Sequence, residues 1–142
     1  MSAETARLTF TLDHAGTSVG DLDRSIAFYA DVFGFDVTER FAIPGTAVRG
    51  AVLVNPGGAR VELFHRDDSD PITIVDPIEA TQRQGWFQLA FAVHDVRSVY
   101  EQVVAAGAAP VKPPFVAPDG ATIVAFVSDP DGNLLELISR TG

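Results

Sequence analysis

The chain has no cysteine and only one lysine, Lys112, among its 142 residues. The absence of cysteine excludes disulfides, thiolate metal ligands and a cysteine nucleophile, and it is consistent with a reducing compartment. Ten basic residues stand against 19 acidic ones, which gives a formal net charge of −9. Because the basic residues are scattered singly, we expect no basic stripe on the surface and no nucleic-acid partner.

Long apolar runs are also missing. No stretch approaches the ~20 apolar residues of a membrane span, and residues 1–9 lack the hydrophobic core of a signal peptide. We therefore expect a cytoplasmic protein without a membrane partner. The length and the 46% of hydrophobic residues suffice for one domain, 1–142, with a substantial core.

What the sequence does contain is an internal repeat with an offset of 74 residues. At this offset His14 coincides with Gln88, Glu62 with Glu136, and segment 55–66 with segment 129–140. Two copies of one supersecondary unit, each shorter than a typical domain, must pack together to close a core. We predict module 1 at 9–66, a surface linker at 67–84 and module 2 at 85–140.

Each copy contains the same order of secondary-structure signals. Alternating residues predict a first strand at 10–19 in module 1 and at 86–93 in module 2. An aspartate then caps a helix that a glycine ends, Asp21 and Gly34 in module 1 and Asp95 and Gly107 in module 2. Three strands follow, at 35–43, 47–54 and 59–65 and again at 109–116, 122–128 and 134–139. The predicted fold class is α+β, with two βαβββ modules.

The two glutamates at the same position of the repeat carry the functional signal. Each lies between apolar residues, where a buried carboxylate without a partner would be costly and a cation would offset that cost. Strand alternation directs the following residues to the faces opposite the helices: His14, Glu62, Gln88, Glu136, Phe64 and Trp86. The first four favour one divalent metal site between the modules, since four independently solvated residues would require four coincidences. His65 and His94 are expected to be structural or solvated.

Two segments of the sequence, 14–35 and 129–137, resemble a known superfamily. Residues 14–35, which begin His-Ala-Gly-Thr-Ser-Val-Gly-Asp, resemble the opening of glyoxalase I and its relatives in the vicinal oxygen chelate superfamily. Residues 129–137, Asp-Pro-Asp-Gly-Asn-Leu-Leu-Glu-Leu, resemble the closing motif of that superfamily. The resemblance implies an open, curled eight-stranded sheet around a central cavity that holds a divalent metal. The first and last strands of each module would supply the ligands, here His14, Glu62, Gln88 and Glu136.

Two positions depart from the commonest pattern of the superfamily. Gln88 stands where most relatives have histidine, which disfavours an extradiol dioxygenase, because that chemistry uses two histidines and one carboxylate around iron. Ser18 stands where glyoxalase I has an arginine that helps bind the carboxylates of glutathione. A glutathione adduct is therefore not the expected substrate.

One imidazole, one amide oxygen and two carboxylates suit Zn best, with Ni, Co, Mn and Fe(II) as alternatives. Such an ion would polarise a carbonyl of a small-molecule substrate, while Glu136, and by symmetry Glu62, would act as the base for an adjacent proton. We predict a homodimeric glyoxalase-like lyase or isomerase, in which Trp86, Phe64 and Ser18 line the substrate pocket. Whether the modules pair within one chain or exchange between two stays open.

Two other functions are compatible with the same fold. A binding protein of the bleomycin-resistance kind would sequester a small molecule or an antibiotic without metal or catalysis. A thiol or phosphonate transferase related to fosfomycin resistance would need more cationic groups than this pocket is expected to offer. The matched ligand-type residues favour the metal-dependent enzyme over the binding protein, whereas the transferase would share the metal site and is disfavoured by the lack of cationic groups.

Overall fold

The structure is a computed structural model that describes residues 7–72 and 76–140. Module 1 consists of β1 (Ala15–Ser18), α1 (Leu22–Phe33), β2 (Asp36–Ala42), β3 (Arg49–Val54) and β4 (Arg60–His65). A one-turn helix, α2 (Pro77–Ala80), lies between the modules. Module 2 repeats the order with β5 (Gln88–Ala92), α3 (Val96–Ala106), β6 (Ala109–Val116), β7 (Ile123–Ser128) and β8 (Leu134–Ser139). The predicted α+β fold with two βαβββ units is confirmed.

Each module forms its own four-stranded sheet, with the order β1-β4-β3-β2 in module 1 and β5-β8-β7-β6 in module 2. The first strand of a module is parallel to the last, and the other neighbours are antiparallel. The register follows the repeat, since Gly16 pairs with Glu62 and Ala90 pairs with Glu136. The strands of the described residues therefore lie in two separate sheets, with β1 and β5 at their edges.

The helices begin and end where the sequence predicts. The Asp21 carboxylate accepts a hydrogen bond from the backbone amide of Arg24, and Asp95 caps α3 in the same way through Ser98. Gly34 ends α1 with a φ of 71°, in the left-handed region that favours glycine. Equivalent caps in both modules place the two helices at equivalent positions on their sheets.

One apolar core lies between the helices and the sheets and extends across both modules. Its largest fully buried members are Tyr29, Leu53, Leu63, Leu135 and Leu137. Phe91 of module 2 packs against Phe33 and Phe35 of module 1, with ring centroids 5.1 and 5.9 Å apart. The core therefore needs both modules, as expected for two units that are each too short to fold alone.

Hydrogen bonds join the modules on one side of their interface. The Tyr29 hydroxyl of α1 donates to Asp129 Oδ2 at 2.8 Å, and both side chains are buried. Asp131 accepts from the Gly20 amide at 2.8 Å and from the Ser25 hydroxyl at 3.2 Å. These contacts hold the turn between β7 and β8 against the start of α1.

The equivalent side of the interface is open. The repeat places Val103 where α1 has Tyr29, and Gly57 where the β7–β8 turn has Asp131. A cavity of about 420 Å³ lies at this position, and Phe91 is among its lining residues. The polar groups that close one side of the interface are therefore absent from the other, which breaks the internal symmetry.

The structure differs from the prediction at the first strand and in the linker. Residues 10–14 precede β1 without strand pairing, because the partner strand β4 begins only at Arg60. The apolar side chains of Leu8, Phe10 and Leu12 in this segment are exposed. Within the predicted linker, Asp76 caps α2, and residues 73–75 lie outside the described part of the chain. In the described residues, no helix is both long enough and apolar enough to cross a membrane.

Candidate metal-binding site

The topology carries the four predicted ligands to the face of each sheet that lies away from the helices. The sequence neighbours of Glu62 on β4 and of Glu136 on β8 point into the core, so the glutamates point the other way. His14 directly precedes β1, which pairs with β4, and Gln88 begins β5, which pairs with β8. The parallel pairing of first and last strands therefore places each of these residues beside the glutamate of its own module.

In module 1, His14 and Glu62 form a close pair, which we call half-site 1. His14 Nε2 lies 2.7 Å from Glu62 Oε2. The other ring nitrogen, Nδ1, lies 2.7 Å from Oδ2 of Asp13, a residue that the sequence reasoning did not single out. This hydrogen bond is the main cause that lowers the pKa of Asp13 below its ordinary value. Asp13, His14 and Glu62 each offer a ligand atom within 4.8 Å of the others.

In module 2, Gln88 and Glu136 form the equivalent pair, half-site 2. The Gln88 amide donates from Nε2 to Glu136 Oε2 at 2.6 Å. Burial raises the pKa of Glu136, while the charge of Arg140 and the hydrogen bond from Gln88 act in the opposite direction. A half-turn of the Gln88 terminal amide would present its oxygen, the atom that can ligate a metal, in place of the nitrogen.

The spacing within each half-site suits a bound cation. Two donor atoms that bind one ion at about 2.1 Å and at right angles to each other are about 3.0 Å apart. His14 Nε2 lies 2.7 Å from Glu62 Oε2, and the Gln88 amide nitrogen lies 2.6 Å from Glu136 Oε2. Once the Gln88 amide has turned to present its oxygen, each pair would need to open by only a few tenths of an ångström. One imidazole, one amide oxygen and two carboxylates are also an appropriate set of donors for a divalent metal.

Within one chain the two half-sites lie on two different sheets. Among the residues that the structure describes, the cluster of histidine and carboxylate groups able to hold an ion comprises Asp13, His14 and Glu62. Glu136 is not part of that cluster. A single copy therefore presents the four predicted ligands as two pairs on two separate sheets.

Two of the predicted pocket residues, Phe64 and Ser18, lie on the same face as half-site 1. Phe64 on β4 packs against Phe41, with ring centroids 5.3 Å apart. Ser18 pairs with Phe64 at the end of β1 and is exposed. Trp86, two residues before β5, is fully exposed. One chain therefore presents Phe64, Ser18 and Trp86 without enclosing them in a common pocket.

The corresponding face of module 2 is more apolar. A second cluster of buried residues comprises Val124, Phe126 and Leu134, and it is extended by Phe87, Val111, Phe115, Ala117 and Ile138. Phe126 pairs with Glu136 across β7 and β8, so this cluster adjoins half-site 2. The Lys112 ammonium lies over the ring of Phe115, 4.2 Å from its centre. Half-site 2 therefore has apolar surroundings with a lysine at their margin.

The two remaining histidines lie outside both half-sites. His65 is buried, and its Nδ1 and Nε2 each lie 2.9 Å from an acceptor, the Val19 carbonyl oxygen and the Asp67 carboxylate respectively. The hydrogen bond with the Val19 carbonyl is the first cause that raises the pKa of His65, and Asp67 adds to it. His94 is exposed, and its carbonyl oxygen accepts a hydrogen bond from Ser139. Their positions agree with the expected structural or solvated roles.

Comparison with known proteins shows the class of this protein. The sequence model of the Glyoxalase/Bleomycin resistance protein/Dioxygenase superfamily matches residues 11–137. This match covers most of the chain and includes both modules with both half-sites. The chain therefore belongs to this superfamily.

Individual relatives carry the names of enzymes. A probable lactoylglutathione lyase of Synechocystis sp. is 30% identical over 131 residues, which are 90% of this chain and 94% of the relative. A mitochondrial methylmalonyl-CoA epimerase of Mus musculus is 41% identical over 63 residues, 44% of this chain and 35% of the epimerase. The crystal structure of glyoxalase I from Zea mays superimposes with a TM-score of 0.72 at 29% identity. That match covers 92% of this chain but 44% of the maize chain, so this chain spans less than half of the maize enzyme.

Proposed function

We propose that the protein is a metal-dependent enzyme of the glyoxalase type that moves a proton next to a carbonyl group of a small molecule. The observation that supports this proposal is the pairing of a first-strand donor with a glutamate in both modules, at 2.7 and 2.6 Å. Two glutamates at equivalent positions, each with a polar partner, suit a shared cation better than a site that only binds an apolar ligand. The names of the relatives, a lyase and an epimerase, agree with proton transfer.

We also propose that the complete site forms between two copies of the chain. Because the half-sites lie on separate sheets of one copy, a twofold dimer can place half-site 1 of each copy against half-site 2 of the other and so create two equal sites. The exposed apolar side chains of Leu12 and Trp86, each two residues before a half-site residue, provide surface that such contact would cover.

The residues of the proposed site have two roles, to hold the ion and to move the proton. His14, Glu62, Gln88 and Glu136 would hold a divalent ion, with Zn as the best fit to the donors. When bound, the ion supplies a Lewis acid that polarises a substrate carbonyl. Glu136 is assigned the role of the base, because a carboxylate beside the substrate carbonyl can take the adjacent proton. Glu62, in the equivalent position, would serve the opposite side of the substrate.

The surface around the half-sites favours a substrate with an apolar body. Ser18 is uncharged, and Phe64 with Phe41 provides an aromatic surface beside half-site 1. Half-site 2 adjoins the apolar cluster of module 2, with Lys112 and Arg140 as nearby cations. We therefore propose a small carbonyl compound rather than a glutathione adduct as the substrate.

The variant Glu136→Gln tests the proposed chemistry. The variant and the wild type are compared for metal content, turnover and exchange of solvent deuterium into substrate, with a panel of hemithioacetals and α-substituted acyl thioesters. We expect the variant to keep metal yet lose turnover by ~10² or more, the scale of a lost general base, and to incorporate no deuterium. The matched control is Glu101→Gln, an exposed glutamate on α3 that should leave turnover unchanged. Full turnover in Glu136→Gln contradicts the assigned role.

Sequestration of a small molecule is the second candidate function. The exposed ring of Trp86 and the paired rings of Phe41 and Phe64 offer surfaces on which a flat ligand can stack. Tight binding of a ligand by metal-free protein, without turnover of any member of the panel, would favour this candidate over the enzyme.

A further inference from the structure

The internal repeat has no counterpart for Asp13. Module 1 carries this carboxylate directly before His14, whereas module 2 carries Phe87 directly before Gln88. This difference matches the type of ligand predicted in each module, an imidazole in module 1 and an amide oxygen in module 2. An amide oxygen can bind an ion without a partner, but one nitrogen of a neutral imidazole is free to bind only when the other nitrogen holds the proton.

The geometry of half-site 1 separates the two ring nitrogens of His14. Nε2 faces Glu62 Oε2 at 2.7 Å, and Nδ1 faces Asp13 Oδ2 at 2.7 Å. Two carboxylates therefore hold opposite ends of one imidazole. Nε2 is the nitrogen that lies beside the second proposed ligand, and Nδ1 lies on the far side of the ring.

The backbone around His14 gives the ring little other support. His14 precedes the first paired residue of β1, and its side chain is 38% exposed. Gln88, by contrast, lies within β5, where its backbone pairs with β8. An imidazole on an unpaired segment can turn between rotamers, so a hydrogen bond to its second nitrogen has a large effect on its direction.

We propose that Asp13 is a positioning residue of the metal centre, which accepts a hydrogen bond from His14 Nδ1 and so directs Nε2 toward Glu62 and the ion. The inference rests on the proposed metal site but concerns a residue outside its four ligands. Ligating imidazoles usually donate their other N–H to a carboxylate, a carbonyl or water, and loss of that partner typically lowers metal affinity about 10- to 100-fold.

Asp13 is suited to a test because the fold does not depend on it. Its side chain is 78% exposed, and an exposed contact of this kind contributes little to stability. We therefore expect Asp13→Ala to melt at the temperature of the wild type in the absence of metal. Asp13→Asn is the conservative variant, because it keeps an oxygen that can accept the Nδ1 hydrogen bond. Asp31→Ala is the matched control, because it removes an exposed aspartate of α1 that is far from either half-site in sequence.

The experiment measures the affinity of the wild type and the three variants for Zn and Co(II) by competition with a chromophoric chelator. We expect Asp13→Ala to bind about 10- to 100-fold more weakly, Asp13→Asn to recover most of the loss and Asp31→Ala to match the wild type. The visible spectrum of the Co(II) form at saturation should be the same in Asp13→Ala and wild type, because the number of ligands is unchanged.

Three results would overturn the inference. These are an affinity of Asp13→Ala within about twofold of wild type, an Asp13→Asn variant as weak as Asp13→Ala, and a changed Co(II) spectrum that makes Asp13 a direct ligand. If the wild type itself binds neither metal, the proposed function fails together with the inference. If the wild type binds metal and Asp13→Ala binds it equally well, only the inference fails.

Discussion

The proposed site between two copies leads to a quantitative prediction about mixed dimers. One variant removes half-site 1 through His14→Ala with Glu62→Ala, and the other removes half-site 2 through Gln88→Ala with Glu136→Ala. If each complete site joins the two halves from different copies, neither variant alone can form one. A mixed dimer, however, has one site made of two intact halves and one site made of two defective halves.

The expected recovery follows from the composition of the mixture. After free exchange of subunits in an equimolar mixture, about half of the dimers are mixed, and each has one intact site of two. The mixture should therefore regain about one quarter of the tight metal sites of the wild type, measured by titration against a competing chelator. Native mass spectrometry of the mixture provides the control that subunits have exchanged.

A site formed within one chain predicts a different result. If the four residues met within one chain, every chain in the mixture would lack two of them, and exchange would restore nothing. No recovery in a mixture with proven exchange would therefore refute a site shared between copies. Full metal binding by either variant alone would show that the altered residues are not the ligands.

Two further predictions concern stability. Tyr29→Phe removes a buried hydroxyl that donates to Asp129 and should lower the free energy of unfolding in urea by about 1.5–2 kcal/mol. Tyr100→Phe on α3 is the matched control, and an equal loss in both would contradict the role given to this hydrogen bond. Because the pKa of His65 is raised above 6.5, its contribution to stability is complete below that value and is lost as the pH rises through the raised pKa. The urea midpoint should fall as the pH rises from about 6.5 through the raised pKa, and it should fall less in Asp67→Asn; equal slopes would argue against this link.

The sequence by itself determined the repeat, the order of elements and the face on which Glu62 and Glu136 lie. Helix ends depend on local signals such as Asp21 and Gly34, whose effect reaches only a few residues. The direction of Glu62 and Glu136 follows from strand periodicity, and a shift by one residue would have placed them in the core. These features need no knowledge of distant contacts, so they could be predicted from the residues alone.

Contacts between distant residues were decided only in the tertiary structure. Tyr29 and Asp129 are 100 positions apart, and their hydrogen bond depends on how two modules pack. The same is true of the division of the strands into two sheets, which the offset of 74 residues does not reveal. The length of β1 also depends on packing, since a strand extends only as far as its partner β4 is present beside it.

Asp13 is the clearest case of a contact that the tertiary structure revealed and the sequence did not. Strand alternation assigned this residue to the face opposite His14, and nothing in the repeat singled it out. In the structure the segment before β1 is unpaired, so the Asp13 side chain can reach the ring of its own neighbour. Periodicity predicts side-chain direction only where a strand is held by hydrogen bonds, and the structure alone shows where that support ends.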